Sequence, residues 1–123
     1  MKWGDIVRVD LNPVVGSEAD KVRPAVVVGN DGANQAAERW GRGVVTVAPI
    51  TSNVSKVYPF QVLIAADHDM TGLSTESKIQ VEQIRAVDVA RIGRQLGRLP
   101  NSLHEPLRDA LALHLGLKSS RAF

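Results

Sequence analysis

Arg23-Pro24 stands between a glycine-bearing charged loop, Gly16-Ser17-Glu18-Ala19-Asp20-Lys21, and the apolar run Ala25 to Val28. A guanidinium at a strand entrance lies where function concentrates, on a loop carried by a rigid element. A second polar signal, Pro49-Ile50-Thr51-Ser52-Asn53, follows another β-rich run, Val44 to Ala48. Two strand ends can therefore bring an arginine and hydroxyls to one substrate. A planar guanidinium forks onto paired phosphate oxygens and hydroxyls donate beside it, so the chemistry this pairing suits is that of a phosphodiester.

The flanking segments supply the scaffold. Val7, Val9 and Leu11 alternate with Arg8 and Asp10, the period-two pattern of a half-buried strand, and Asn12-Pro13 ends it. Ala25 to Val28 is unbroken and β-branched, as expected of a strand buried on both faces, and Val44 to Ala48 reads similarly. Between them, Asn30 to Gly43 reads as a mobile loop with at most a helical turn. Tyr58, Phe60, Val62 and Ile64 predict a strand whose early Pro59 marks a start or a sheet edge. Ile79 and Val81 alternate with Lys78 and Gln80 in a further strand. Ile84 to Val87 and Ile92 to Leu99 add short apolar segments, with room for one helical turn after Asp88. Many short strands with frequent turn signals predict a small barrel. The period then changes: Leu103, Leu107, Ala110, Leu111 and His114 form the stripe of an amphipathic helix. Ser102 and Glu105 offer a capping box, Pro106 fits the first turn, and Gly116 can end the helix.

A chain of 123 residues, 44% hydrophobic and 23% charged, is that of one ordinary globular domain, which excludes disordered and fibrous classes. Cysteine is absent, so disulfide frameworks and thiolate metal sites are excluded. Met1 to Asp5 enters a strand pattern without an apolar leader, and no window reaches the roughly 18 apolar residues of a membrane span. A cytoplasmic protein with no membrane association is the expectation. Net charge is only +2, yet residues 91–123 hold 6 basic and 2 acidic side chains against 9 and 11 in residues 1–90. Arg91, Arg94 and Arg98 form the densest basic cluster, readable as a solvated face or as a phosphate-steering one.

The order and spacing of several short motifs resemble one family. Gly4-Asp5-Ile6-Val7, Gly16-Ser17-Glu18, Arg23-Pro24-Ala25-Val26-Val27-Val28, Asn30-Asp31, Pro49-Ile50-Thr51-Ser52, Gly72-Leu73, Glu82-Gln83-Ile84-Arg85-Ala86-Val87-Asp88 and Leu96-Gly97-Arg98-Leu99 follow the pattern of the MazF/PemK toxins. These are endoribonucleases of type II toxin–antitoxin pairs. The resemblance spans residues 1–117, expected to form one toxin domain, and leaves 118–123 as a C-terminal tail. It implies a mainly β fold, an SH3-like β-barrel with a C-terminal α-helix. It also implies sequence-specific, metal-independent cleavage of single-stranded mRNA to 2′,3′-cyclic phosphate and 5′-hydroxyl ends, with no cofactor. A homodimer and a cognate MazE-like antitoxin with a disordered tail are the expected assembly.

By this resemblance Arg23 and Thr51 are the catalytic candidates, the first stabilising charge on the phosphate and the second bonding the scissile group. Glu18 and Lys21, on the segment similar to the family's substrate-gating loop, are candidate RNA contacts together with Ser52. Asn30 and Gln83 are candidates for hydrogen-bonding unpaired bases. Each has a plainer reading beside it. Arg23 can pair with Glu18 or Asp20, Thr51-Ser52 can form a turn on its own backbone, and Asn30 and Gln83 can satisfy local backbone groups. A catalytically silent barrel toxin acting on a protein target such as DNA gyrase is the alternative function. Asp67-His68-Asp69 reads as a polar turn, since nothing nearby has metal-ligand spacing. His104 falls near the exposed start of the terminal helix and His114 on its apolar stripe, while Trp3 and Trp40 read as packing or loop anchors.

Overall fold

The computed structural model describes residues 1–12, 15–17 and 21–118. Its strands are β1 (Asp5–Asp10), β2 (Val22–Val27), β3 (Val44–Thr51), β4 (Gln61–Ile64), β5 (Ser77–Gln80), β6 (Arg85–Asp88) and β7 (Ile92–Arg98). Helix α1 (Asp31–Trp40) lies between β2 and β3, and helix α2 (His104–His114) follows β7. The strands pair antiparallel in the order β4-β5-β3-β2-β1-β7. Strand β3 is the pivot: residues 44–47 also pair with β6, and Ile50 and Thr51 pair with β5. The result is a mainly β, barrel-like sheet that is not a closed barrel, with a C-terminal helix against it.

Alternation divides the apolar residues between two cores. Ile6, Val26, Ala48, Ile50 and Ile79 meet on one side, and Val7, Val9, Val27, Val45 and Val47 on the other. Strand β1 is thus buried on both faces over its first half, and only Arg8 and Asp10 emerge. Helix α2 closes the first core with Leu107 and Ala110, while α1 covers the second with Ala37. Burying a side chain such as Leu107, which is 0% exposed, contributes on the order of 2–3 kcal/mol.

Several sequence expectations change at the boundaries of elements. The segment read as a mobile loop is a ten-residue helix, α1. Its signals are local: the Asn30 side chain accepts from the Ala33 N–H at 2.8 Å, and Gly41 ends the helix in the left-handed conformation at φ 65°. Strand β3 runs three residues past Ala48, through Pro49 to Thr51. The strand expected from Tyr58 starts only at Gln61. Tyr58 to Gln61 is instead a turn in which the Gln61 carbonyl oxygen Oε1 accepts from the Tyr58 N–H, and Tyr58 stacks on Phe60. Val81 opens a 3-10 turn rather than extending β5.

The turn expected after Asp88 is present. The Asp88 carboxylate accepts from the Ala90 N–H at 2.8 Å and folds Val89–Arg91 into a 3-10 turn between β6 and β7. At α2, Pro106 does lie in the first turn, but the capping box does not form, because Leu103 occupies the cap without a side-chain bond. The helix ends as expected at Gly116, φ 71°, where Gly116 and Leu117 N–H donate to Leu113 and Ala112 carbonyls. His114 is exposed rather than on the buried stripe. His104 is half-buried, its ring against Trp3 and its Nε2 3.2 Å from the Leu99 carbonyl. Among the described residues no helix is long and apolar enough to cross a membrane.

Candidate active site

Arg23 is the second residue of β2 and Thr51 the last of β3. The two strands pair Val27 with Val47, Val26 with Ala48 and Ala25 with Pro49. The pairing ends there, with Arg23 two residues before Ala25 and Thr51 two residues after Pro49. Both residues thus stand near the same ends of neighbouring strands. Both line a groove of about 400 Å³ at this end of the sheet, with Lys21 and Ser52 beside them.

Local bonding fixes Thr51 and Lys21. The Thr51 hydroxyl oxygen accepts from the Asn53 N–H at 3.2 Å, and Asn53 in turn accepts from Ser55. The turn reading of Thr51-Ser52 therefore holds, and the hydroxyl proton is left to donate elsewhere. Lys21 has a positive φ of 67°, unusual for a side chain with a Cβ. It is held there because its N–H donates to Asn12 Oδ1 at 3.0 Å and its carbonyl accepts from the Leu11 N–H at 3.1 Å. Strain of this kind clusters at ligand-handling segments.

The groove gains groups that sequence reasoning did not place there. Arg8 comes from β1 and Arg94 from β7, and Ser74, Thr75 and Ser77 supply further hydroxyls. Arg8 was legible only as the polar member of an alternation, and Arg94 only as part of a basic cluster. Among the described lining residues every charged side chain is a cation: Arg8, Lys21, Arg23 and Arg94. Ile50, Leu73 and Leu96 form apolar wall, which keeps the local dielectric below that of water and strengthens attraction for an anion.

Other candidates fall elsewhere. Asn30 is the cap of α1, at the far end of β2, roughly 20 Å along the strand from Arg23. Gln83 lies in the 3-10 turn after β5, and its Nε2 donates to the Ser17 carbonyl at 3.2 Å, tying that turn to the loop before β2. Glu18 lies outside the described residues, as does Asp20. Asp67 does act as a turn residue: its carboxylate accepts from the Asp69 and Met70 N–H groups. Arg108 lies over Trp3 and Arg39 over Trp40. Trp3 is a packing anchor, whereas Trp40 is 67% exposed.

A bent antiparallel sheet with a terminal helix, carrying a cationic, hydroxyl-lined groove at its strand ends, defines a small barrel-like protein built to act on an anion. Residues 2–115 match the family described as PemK-like, MazF-like toxin of type II toxin–antitoxin system, and the chain belongs to that family. It is 53% identical over 119 residues to endoribonuclease MazF9 of Mycobacterium tuberculosis, covering 97% of this chain and 99% of that protein. It is 35% identical to endoribonuclease EndoA of Bacillus subtilis, covering 95% and 96% of the two chains. Among solved structures it is similar to MazF from Deinococcus radiodurans, with a TM-score of 0.76 at 27% identity, covering 94% of this chain and 96% of that one.

Proposed function

We propose that the groove cleaves single-stranded mRNA at selected sequences, without a metal ion, using the substrate's own 2′-hydroxyl as nucleophile. The chain is an endoribonuclease toxin of a type II toxin–antitoxin system, so the scissile group is a ribose-linked phosphodiester. The 2′-oxygen forms a bond to phosphorus while the bond to the 5′-oxygen breaks. The 2′-hydroxyl loses its proton, the 5′-oxygen gains one, and the products are a 2′,3′-cyclic phosphate and a 5′-hydroxyl. Arg23 holds the phosphate oxygens on which negative charge grows. Thr51 donates its remaining proton to the same phosphate and aligns it for in-line attack. Lys21 and Ser52 bind the adjoining backbone, Glu18 is a further candidate RNA contact, and Asn30 and Gln83 are candidates for contacts to the displayed bases.

The single observation that supports this reading is that Arg23 and Thr51 line one cationic groove. Incubation with a long unstructured RNA in chelator tests it. Wild type is expected to cut, and Arg23→Ala and Thr51→Ala to lose cutting while melting like wild type. Cutting that survives in either variant would sink the assignment, and no cutting across varied RNAs would favour a toxin acting on a protein such as DNA gyrase.

The family consists of toxins of toxin–antitoxin systems, and MazF of Deinococcus radiodurans has been solved together with MazE. By the same pairing a MazE-like antitoxin covers the groove of this chain, an acidic segment matching its cations. Residues 1–117 act as one toxin domain, working as a homodimer in the cytoplasm, where its mRNA substrate is found.

A further inference from the structure

Strand β7 departs from regular pairing with β1. Val7 faces Gln95 and Val9 faces Ile92, so Arg8 alone stands against two residues, Gly93 and Arg94. A two-against-one bulge of this kind bends its strand and re-aims a side chain. Gly93 lies directly against Arg8: a Cβ there would be in ordinary contact, 3.4 Å from the Arg8 Cβ and 3.5 Å from the Arg8 carbonyl oxygen. Arg8 and Arg94 line the same groove, both exposed, and neither guanidinium makes a hydrogen bond or ion pair with a described residue. Arg91 of the same basic cluster differs. Its guanidinium is committed to the Asp10 and Asn12 carbonyls.

Two guanidinium groups set side by side repel each other unless an anion lies between them. The strand order β3-β2-β1-β7 puts β1 and β7 two and three strand spacings from Thr51, roughly 10–14 Å. Both arginines therefore enter the groove from the side of β2 away from Thr51. We propose that Arg8 and Arg94 form a second phosphate subsite, a clamp that grips one neighbouring backbone phosphate of the same RNA strand and sets its path through the groove. The proposal rests on the nuclease reading of that groove. It assigns Arg8 and Arg94 to positioning, not to the reacting atoms.

Two measurements test the clamp and keep it separable from that reading. Cleavage by wild type decides whether the groove is a nuclease. Binding of a single-stranded oligonucleotide with deoxyribose throughout, which cannot be cut by this route, is followed by fluorescence anisotropy across a salt series for wild type, Arg8→Gln, Arg94→Gln and the double variant. Each single variant is expected to weaken binding roughly tenfold, since each removes a charge-assisted contact. Because one phosphate is shared, the salt slope of the double variant should fall by about 0.7, the value for one phosphate, and not by twice that. On cleavable RNA the same changes should raise KM with kcat largely kept, and Arg42→Gln, an equal change of charge outside the groove, should alter neither. Wild-type affinity or salt slope in the double variant, a double-variant slope change of two phosphates, or a loss confined to kcat would each overturn the clamp. Absence of wild-type cutting with the binding pattern intact would overturn the nuclease reading alone.

Discussion

At the scale of single residues, the two catalytic candidates depend on different properties of their side chains. Arg23 contributes a planar fork that spans two oxygens, a geometry that an ammonium cannot reproduce. Arg23→Lys is therefore expected to lower the cleavage rate by about a hundredfold or more, close to the effect of alanine, in a single-turnover assay. Thr51 contributes a hydroxyl already oriented by the Asn53 N–H. Thr51→Ser keeps that hydroxyl and should keep most cutting. Thr51→Val keeps the shape alone and should lose it by about a hundredfold. Equal rates for the serine and valine variants would show that the hydroxyl has no part in the chemistry.

Elements decide how these residues are held. The loop after β4 folds back on β7 through two glycines. A Cβ on Gly72, φ 74°, would lie 2.3 Å from the Leu96 carbonyl oxygen, and one on Gly97 would lie 2.2 Å from that of Met70. The Met70 oxygen is held in place, since it accepts from the Arg98 N–H and the neighbouring Thr71 is buried, its hydroxyl bonded to the Asp67 carbonyl. Gly72→Ala is expected to cost about 3 kcal/mol in urea unfolding, and to disturb the groove wall it forms. Helix α1 gives a test of Asn30. Asn30→Ala should cost about 1 kcal/mol through the lost cap, whereas Asn30→Asp keeps an acceptor and should keep stability. A raised KM in the stable aspartate variant would then assign the Asn30 amide to RNA, a role its cap bond does not need.

The whole molecule couples the helix at the end of the chain to the groove at the strand ends. Leu107 of α2 is fully buried in the core that also holds Ile50, and Ile50 lines the groove next to Thr51. Leu107→Ala is expected to lower stability by about 3 kcal/mol through the cavity it leaves, read as a drop in melting temperature with the remaining folded fraction still cutting. Assembly is a further property of this scale. Light scattering on the purified chain is expected to give twice the monomer mass of 13.3 kDa, and a monomer at all working concentrations would remove the dimer from the proposal.

Much of this was legible in the residues themselves. Alternation in Val7-Arg8-Val9-Asp10-Leu11, the unbroken Ala25 to Val28 run, the Leu107–Ala110 stripe and the glycine stop at 116 all depend on neighbours within a few positions, as do the family motifs that single out Arg23 and Thr51. Helix α1 was equally local in cause, with Asn30 and Gly41 bracketing an alanine-rich stretch, but its polar composition hid it. Only the tertiary structure decided that Arg23 and Thr51 line one groove, that Arg8 and Arg94 from β1 and β7 join them, and that Asn30 caps a helix away from it. Register and strand neighbourhood are set by burial of apolar side chains from segments remote in sequence, which no local pattern encodes.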